Sequence, residues 1–233
     1  MRRVAAVAVA AVAVLAVGVT PAGATRECQG LMVCVPRAGP WVVVPTGASV
    51  PRPQARWQLS CPKGYLVGGL DAELTHRALD VTFAGTLGSP VNPGVTTSKA
   101  AVFTGTYVGA RAASPSFRPH VGCMPAAGSG GRVPTAFGAA EAGRPVTWRV
   151  KTVRVRPGSA AVSASCLRRE RLVDAGYALG FYTRQPPTAS LIGDVSASLS
   201  AAGNRVVTQV RGDAEISSVR AVVQVQAVCA VPR

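Results

Sequence analysis

Six cysteines divide this sequence of 233 residues, and the spacing of the last four repeats. Cys61 and Cys123 lie 62 residues apart, and Cys166 and Cys229 lie 63 residues apart. An even number of cysteines in an exported chain indicates disulfide bonds, and six cysteines permit about fifteen pairings. The repeated spacing favours the pairing of consecutive cysteines: Cys28 with Cys34, Cys61 with Cys123, and Cys166 with Cys229.

A zinc site is the alternative use for these cysteines. The sequence contains no C-x-x-C pair, and its two histidines, His76 and His120, lack the spacing of a tetrahedral zinc site. We therefore expect three disulfides, no metal and no cofactor. On a chain-entropy estimate, each of the two long loops closed in this way contributes about 4 kcal/mol to stability.

The first 24 residues have the organisation of a secretory signal peptide. Two arginines precede an apolar run over residues 4–19, and Ala22-Gly23-Ala24 places small residues before a cleavage point. An uncleaved anchor is the alternative, but the apolar run is short for a membrane span. We expect cleavage after Ala24, a mature chain that begins at Thr25 without a transmembrane segment, and secretion or association with the cell envelope.

The two long cysteine pairs enclose similar hydrophobic patterns. Trp57, Leu59 and Cys61 alternate with polar residues, and in residues 219–231 the apolar side chains alternate with a face that carries Arg220, Gln224 and Gln226. In the second repeat a further strand is predicted over residues 191–199, where Leu191 and Gly193 begin the alternation. A period of two residues is typical of β strands, and the Gly- and Pro-rich turns between them suit antiparallel sheets. The sequence therefore predicts an all-β fold of two tandem antiparallel sandwich-like or open-barrel units, each stapled by its own disulfide.

These patterns divide the chain into five segments. They are a signal peptide (1–24), an N-terminal cap with a small disulfide ring (25–38), a first β repeat (39–127), a Gly/Ser-rich linker (128–142) and a second β repeat (143–233).

A motif in the first repeat resembles a known group of proteins. Cys61-Pro62-Lys63-Gly64-Tyr65-Leu66-Val67-Gly68-Gly69, with Val121-Gly122-Cys123 further on, resembles the C-P-x-G-x-x-V-x-G-G repeats of exported proteins from high-GC Gram-positive bacteria. The second repeat departs from the motif, because Leu167-Arg168-Arg169 follows Cys166. The resemblance implies an exported β architecture and no catalytic residues.

The chain is strongly basic, with 25 Lys and Arg against 10 Asp and Glu and a formal net charge of +15. Residues 148–156 read as a strand whose phase slips near Thr152, which predicts a β-bulge. Four bases in this stretch would form a basic ladder for an anionic cell-wall polymer or glycan: Arg149, Lys151, Arg154 and Arg156. The alternative is an edge strand that its charges protect from aggregation. Nucleic acid is not expected, because only 5% of the residues are aromatic.

One group of residues has the chemistry of a hydrolytic site. Asp71 and Glu73 lie two residues apart in a strand-like stretch and would face the same side, with His76 nearby. A solvated strand or loop edge explains the same residues without any catalysis. We therefore favour an exported non-enzymatic binding or cell-envelope-associated module. An extracellular hydrolase centred on Asp71, Glu73 and His76 is one alternative, and a structural coat or matrix component is another.

Overall fold

The computed structural model describes residues 25–47, 49, 51–85, 99–110, 114–126 and 146–231. The predicted signal peptide and linker lie outside these residues. Among the described residues, seven strands belong to the first part of the chain: β1 (Val35–Ala38), β2 (Trp41–Val43), β3 (Gln54–Ser60), β4 (Tyr65–Leu74), β5 (Leu79–Gly85), β6 (Ala100–Tyr107) and β7 (Ser116–Pro125).

The second part adds six strands and two short helices. These are β8 (Val146–Arg154), β9 (Gly158–Ser165), β10 (Arg171–Tyr182), α1 (Ala189–Gly193), β11 (Val195–Ala202), β12 (Arg205–Gly212), a 3₁₀ helix (Ala214–Ser218) and β13 (Arg220–Ala230). The predicted all-β class is therefore confirmed. No helix in the described part of the chain is long and apolar enough to cross a membrane.

A seven-stranded sheet runs through both units. Strand β7 pairs with β4 along one edge and with β1 and β2 along the other, and β2 in turn pairs with β10. Strand β10 then pairs with β13, and β13 with β8. Three residues, Trp41–Val43, thus join the two units into one hydrogen-bonded sheet.

Each unit covers one face of this shared sheet with further strands. In the first unit these are β3, β6 and β5, paired in that order. In the second unit β11 pairs with β12 through a two-residue turn at Gly203 and Asn204, and β9 runs beside β12, where the Cys166 amide donates to the Asn204 carbonyl (2.9 Å). Gly203 has a φ of +56°, which glycine adopts without steric cost.

All three predicted disulfides are confirmed. Cys61, directly after β3, joins Cys123 in β7, and Cys166, directly after β9, joins Cys229 in β13. Cys28 and Cys34 close the small ring ahead of β1. Each long bridge therefore ties the two layers of its unit together, beside a core in which Trp57, Phe103 and Val225 are almost fully buried.

Two local predictions are wrong. Leu191 and Gly193 do not continue the alternation of β11, because they lie in α1, whose Thr188 hydroxyl accepts from the Leu191 amide (3.2 Å). The bulge expected near Thr152 is also absent. The pairing of β8 with β13 runs without a shift from Val146 opposite Ala230 to Arg154 opposite Val222.

The outer face of β13 is buried, although it carries polar side chains. Gln224 and Gln226 point away from the core of their own unit, yet they are only 3% and 1% exposed. They lie against β3, whose outward edge pairs with none of the described strands, and their side-chain amides form hydrogen bonds with its backbone. Gln224 accepts from the Gln58 N–H (2.6 Å) and donates to the Gln58 carbonyl (3.1 Å), and Gln226 donates to the Arg56 carbonyl (2.7 Å). Side chains thus take the place of a neighbouring strand.

Candidate functional site

The basic ladder lies on an edge of the seven-stranded sheet. Strand β8 is the last strand of the sheet order and pairs only with β13 among the described strands. Because its register is continuous, successive side chains alternate strictly between the two faces. Arg149 and Lys151 therefore share one face while Arg154 belongs to the other, so the ladder is not a single row of charges.

Arg149 is already occupied by an acidic partner. Its guanidinium donates from Nε to Glu170 Oε2 (2.8 Å) and from Nη2 to Glu170 Oε1 (2.6 Å), a bidentate pair. Glu170 also accepts from the Leu167 amide (2.8 Å). These hydrogen bonds, led by that from Arg149, lower the pKa of Glu170, and the carboxylate raises the pKa of Arg149. Arg149 therefore anchors the turn between β9 and β10 and is not free for a polymer.

The other three bases of the ladder differ from Arg149 in their surroundings. Lys151, Arg154 and Arg156 are exposed, and none forms an ion pair with an acid in the described part of the chain. Three more exposed arginines without such a pair follow Cys166: Arg168, Arg169 and Arg171.

These exposed bases are spread along the length of the sheet edge. Arg171 lies opposite Ala230, which lies opposite Val146 at the start of β8, whereas Arg154 ends that strand. Eight residues of strand separate these two ends, or about 26 Å. Next to Arg154 and Arg156, where β8 turns into β9, lies a groove of about 250 Å³ with valines in its lining: Val153, Val155, Val162, Val210 and Val223.

A second polar cluster lies on the outer face of the first unit. Asp71 and Glu73 share a face of β4, as predicted, and their partners on β7 are His120 and Arg118. His76 is not among them. It is exposed in the turn after β4, where its ring packs edge-to-face against Tyr107 with centroids 6.1 Å apart. The structure thus brings His120, and not His76, to the two carboxylates.

His120 lies between two glutamates and is 5% exposed. Its Nε2 is 2.7 Å from Glu73 Oε1, although the ring N–H is not aligned for a hydrogen bond, and its Nδ1 is 3.7 Å from Glu27 Oε1. Arg118 Nη1 is 3.9 Å from the same Glu73 oxygen. The contacts arise on opposite sides of the imidazole, so the two glutamates do not converge on a single nitrogen.

Glu27 reaches this cluster because two glycines leave room for the N-terminal cap. A Cβ atom on Gly69 or Gly122 would collide with the Glu27 carbonyl oxygen. Both glycines belong to the motif that begins at Cys61 and closes at Cys123. The motif therefore has a structural reason, since it seats the backbone of the cap directly on β4 and β7.

Beside the cluster lies an open depression of about 590 Å³, which we call the acidic depression. Its lining residues are Thr25, Arg26, Trp41, Asp71, Ala72, Glu73 and Leu74. The Arg26 amide donates to Asp71 Oδ2 (2.7 Å), and the Thr25 hydroxyl donates to Glu27 Oε1 (3.2 Å). Trp41 Nε1 and Glu27 Oε2 are buried and have no hydrogen-bond partner in the described part of the protein.

Sequence reasoning missed Glu27, Arg118 and Trp41 as members of this cluster, and it considered His120 only as a zinc ligand. The alternation of residues 117–123 does place Arg118 and His120 opposite the core, which is the one local signal. Nothing in the sequence shows that β4 lies beside β7 or that the cap returns over both.

Neither region has the ligand set of a metal site. Among the described residues, one group of three potential ligands lies close together, namely Cys166, Glu170 and Cys229. Its two sulfur atoms form a disulfide and its carboxylate is bound to Arg149, so none of the three is available.

Comparisons of the chain with known protein families, with curated proteins and with solved structures found no match.

Proposed function

We propose that this chain is an exported binding protein of the cell envelope, which reaches its compartment by cleavage after Ala24 and binds an anionic polymer along the β8 edge. One observation carries the proposal: Lys151 and Arg154 on the edge strand β8, and Arg156 just after it, are exposed and have no acidic partner among the described residues. Three disulfides in one chain support an oxidising compartment outside the cytoplasm.

The spacing of these charges suits a linear polymer better than a small anion. Arg154 ends β8 and Arg156 follows two residues later, at most about 7 Å of extended chain, and Lys151 precedes Arg154 by about 10 Å along the strand. These separations are close to the Debye length of about 8 Å at physiological salt, so the charges attract a polyanion together. No bidentate clamp for one compact anion is formed by the three.

The order of the strands supports a further part of the proposal, that the second unit is a copy of the first. Strands β4, β7 and β2 lie side by side in the first unit, and β10, β13 and β8 do so in the second. In both units the layer disulfide joins the residue after the first strand of the second layer to the closing strand. A duplicated, stapled β scaffold with a charged edge is suited to binding outside the cell.

Charge reversal tests the polymer site. The variant Arg154→Glu/Arg156→Glu is compared with Lys63→Glu/Arg77→Glu, which changes the net charge equally at two exposed turns of the first unit. We expect binding to poly(glycerol phosphate) at low salt to weaken about tenfold or more in the first variant only, with a shallower salt dependence.

Three different outcomes contradict the proposal. Equal loss in both variants shows that only the net charge matters, and unchanged affinity with an unchanged salt slope places any polymer elsewhere. Circular dichroism of both variants verifies that the fold is kept. In the third outcome the wild-type protein binds no polymer and the charge-reversed variant self-associates. The charges then serve only to protect the edge strand, as a coat or matrix component also requires.

A further inference from the structure

The first residue of the predicted mature chain lies in the acidic depression. Thr25 lines it together with Asp71 and Glu73, and the next backbone nitrogen, that of Arg26, donates to Asp71 Oδ2 at 2.7 Å. Consecutive backbone nitrogens are at most about 4 Å apart, so the Thr25 nitrogen lies within about 7 Å of that oxygen. The Thr25 hydroxyl meanwhile bonds Glu27 (3.2 Å).

One buried carboxylate of this region lacks a full set of hydrogen-bond donors. Asp71 and Glu73 line the depression, and Glu27 lies next to it, bonded to the Thr25 hydroxyl. The arginine side chain in contact with these acids is that of Arg118, at Glu73. Glu27 is 4% exposed, and its Oε2 has no hydrogen-bond partner among the described residues. A buried carboxylate oxygen without a donor is unfavourable, so the arrangement favours one more donor with a positive charge.

We propose that the acidic depression is the binding site for the α-ammonium group of Thr25, which cleavage of the signal peptide creates. A signal peptidase hydrolyses the Ala24–Thr25 amide: water adds across the bond, the leader leaves with the Ala24 carboxylate, and Thr25 keeps the nitrogen as an ammonium. The uncleaved amide offers one N–H without charge, whereas the ammonium offers three donors and a positive charge to Asp71 and the Glu27 carboxylate.

Cleavage therefore locks the cap onto the sheet. The ammonium adds an ion pair at the point where the cap meets β4, next to the hydrogen bond between Arg26 and Asp71. The Cys28–Cys34 ring holds the other end of the cap close to Gly122 of β7. This inference rests on the export route proposed above, and it adds a structural purpose to the new N-terminus.

The test compares two oxidised proteins made without the export machinery. One begins at Thr25, and the other begins at Ala22 and so carries three further native residues. We expect the chain that begins at Thr25 to melt about 2–4 °C higher at low salt, with a smaller difference at high salt. Asp71→Asn should abolish most of this difference, whereas Asp80→Asn, at an exposed acid of β5, should leave it unchanged.

A second measurement does not depend on the stability of the variants. The α-amine of the folded chain that begins at Thr25 should react several-fold more slowly with an amine-selective acylating reagent at neutral pH than that of its Asp71→Asn variant. Equal melting temperatures for the two chains, or equal acylation rates with and without Asp71, overturn the inference. Uncleaved protein in the exporting cell would instead overturn the proposed export route. The melting and acylation comparisons use proteins made without export, so they would still test whether the acidic depression binds the ammonium group.

Discussion

The burial of Gln224 makes a strong prediction about how the two units hold together. Its amide forms four hydrogen bonds: it exchanges two with the backbone of Gln58, donates to Thr152 Oγ1 (3.0 Å) and accepts from Gln226 (3.0 Å). Replacement by leucine keeps a similar volume but removes every one of these bonds. The N–H and the carbonyl of Gln58 then face an apolar side chain, on an edge of β3 that pairs with no other strand in the described part of the chain.

The expected cost follows from those two backbone groups. A buried donor or acceptor that loses its partner costs about 1–3 kcal/mol, so two such groups cost about 2–6 kcal/mol. The added apolar surface offsets part of this cost, which leaves a loss of about 2–5 kcal/mol. For a chain of this size that loss corresponds to a fall in Tm of roughly 5–15 °C. The matched control is Gln209→Leu, because Gln209 is exposed on β12 and surface changes of this kind usually stay within about 0.5 kcal/mol.

Urea unfolding of the oxidised proteins measures the difference, and amide hydrogen exchange locates it. We expect the midpoint of Gln224→Leu to fall well below that of Gln209→Leu, and the Gln58 amide to exchange faster. The reasoning is refuted if Gln224→Leu is no less stable than Gln209→Leu and the Gln58 backbone N–H stays protected from exchange. In that case the Gln224 side chain does not replace a neighbouring strand of β3, and apolar packing alone holds the units together.

Two further predictions concern the ion pair and the cap. Because Arg149 lowers the pKa of Glu170, the stability that this pair contributes should be complete above the ordinary pKa of a glutamate and should be lost as the pH falls through the lowered value. Between about pH 7 and about pH 2, the urea midpoint should therefore fall less in Glu170→Gln than in the wild-type protein. Gly122→Ala should destabilise the fold by about 1–3 kcal/mol in thermal unfolding, because its Cβ meets the Glu27 carbonyl, whereas Gly176→Ala, with open space around it, should not.

The features that could be predicted from the sequence are those that depend on short stretches of chain. The alternation before Cys61 and before Cys229 is a property of single strands, and the equal cysteine spacing reports the equal size of two loops. The same reasoning failed at Thr152 and at Leu191. At Thr152, strand β8 keeps its register with β13 although the pattern of apolar residues shifts by one position. At Leu191, the Thr188 N-cap begins a helix in a stretch whose apolar residues alternate as in a strand.

The features that it did not foretell depend on which surfaces meet. Period-two alternation shows that Gln224 and Gln226 lie opposite the core, but it does not show that another unit covers them. The contact between Glu27 and His120 joins residues far apart in sequence, across a cap whose path only the tertiary structure defines. Arg149 differed from the other bases of the ladder because Glu170 lies beside it, again a consequence of how β8 and the turn before β10 come together.

The closing strands of the two units show how one scaffold position takes different side chains. His120 precedes Cys123 by three residues, and Gln226 precedes Cys229 by the same number; Arg118 and Gln224 correspond in the same way. All four lie on the face of their strand opposite the core. In the first unit that face meets the cap and its Glu27 carboxylate, and a histidine and an arginine are there to contact the acids.

In the second unit the equivalent face meets the bare edge of β3, which presents both N–H and carbonyl groups. A cationic side chain could satisfy the carbonyls but would leave the Gln58 N–H without an acceptor, whereas a glutamine amide donates and accepts together. Two glutamines on β13, at the spacing from Cys229 that Arg118 and His120 have from Cys123, therefore suit the contact with β3 that joins the units. This contact also removes the exposed edge that would otherwise let β3 pair with another chain.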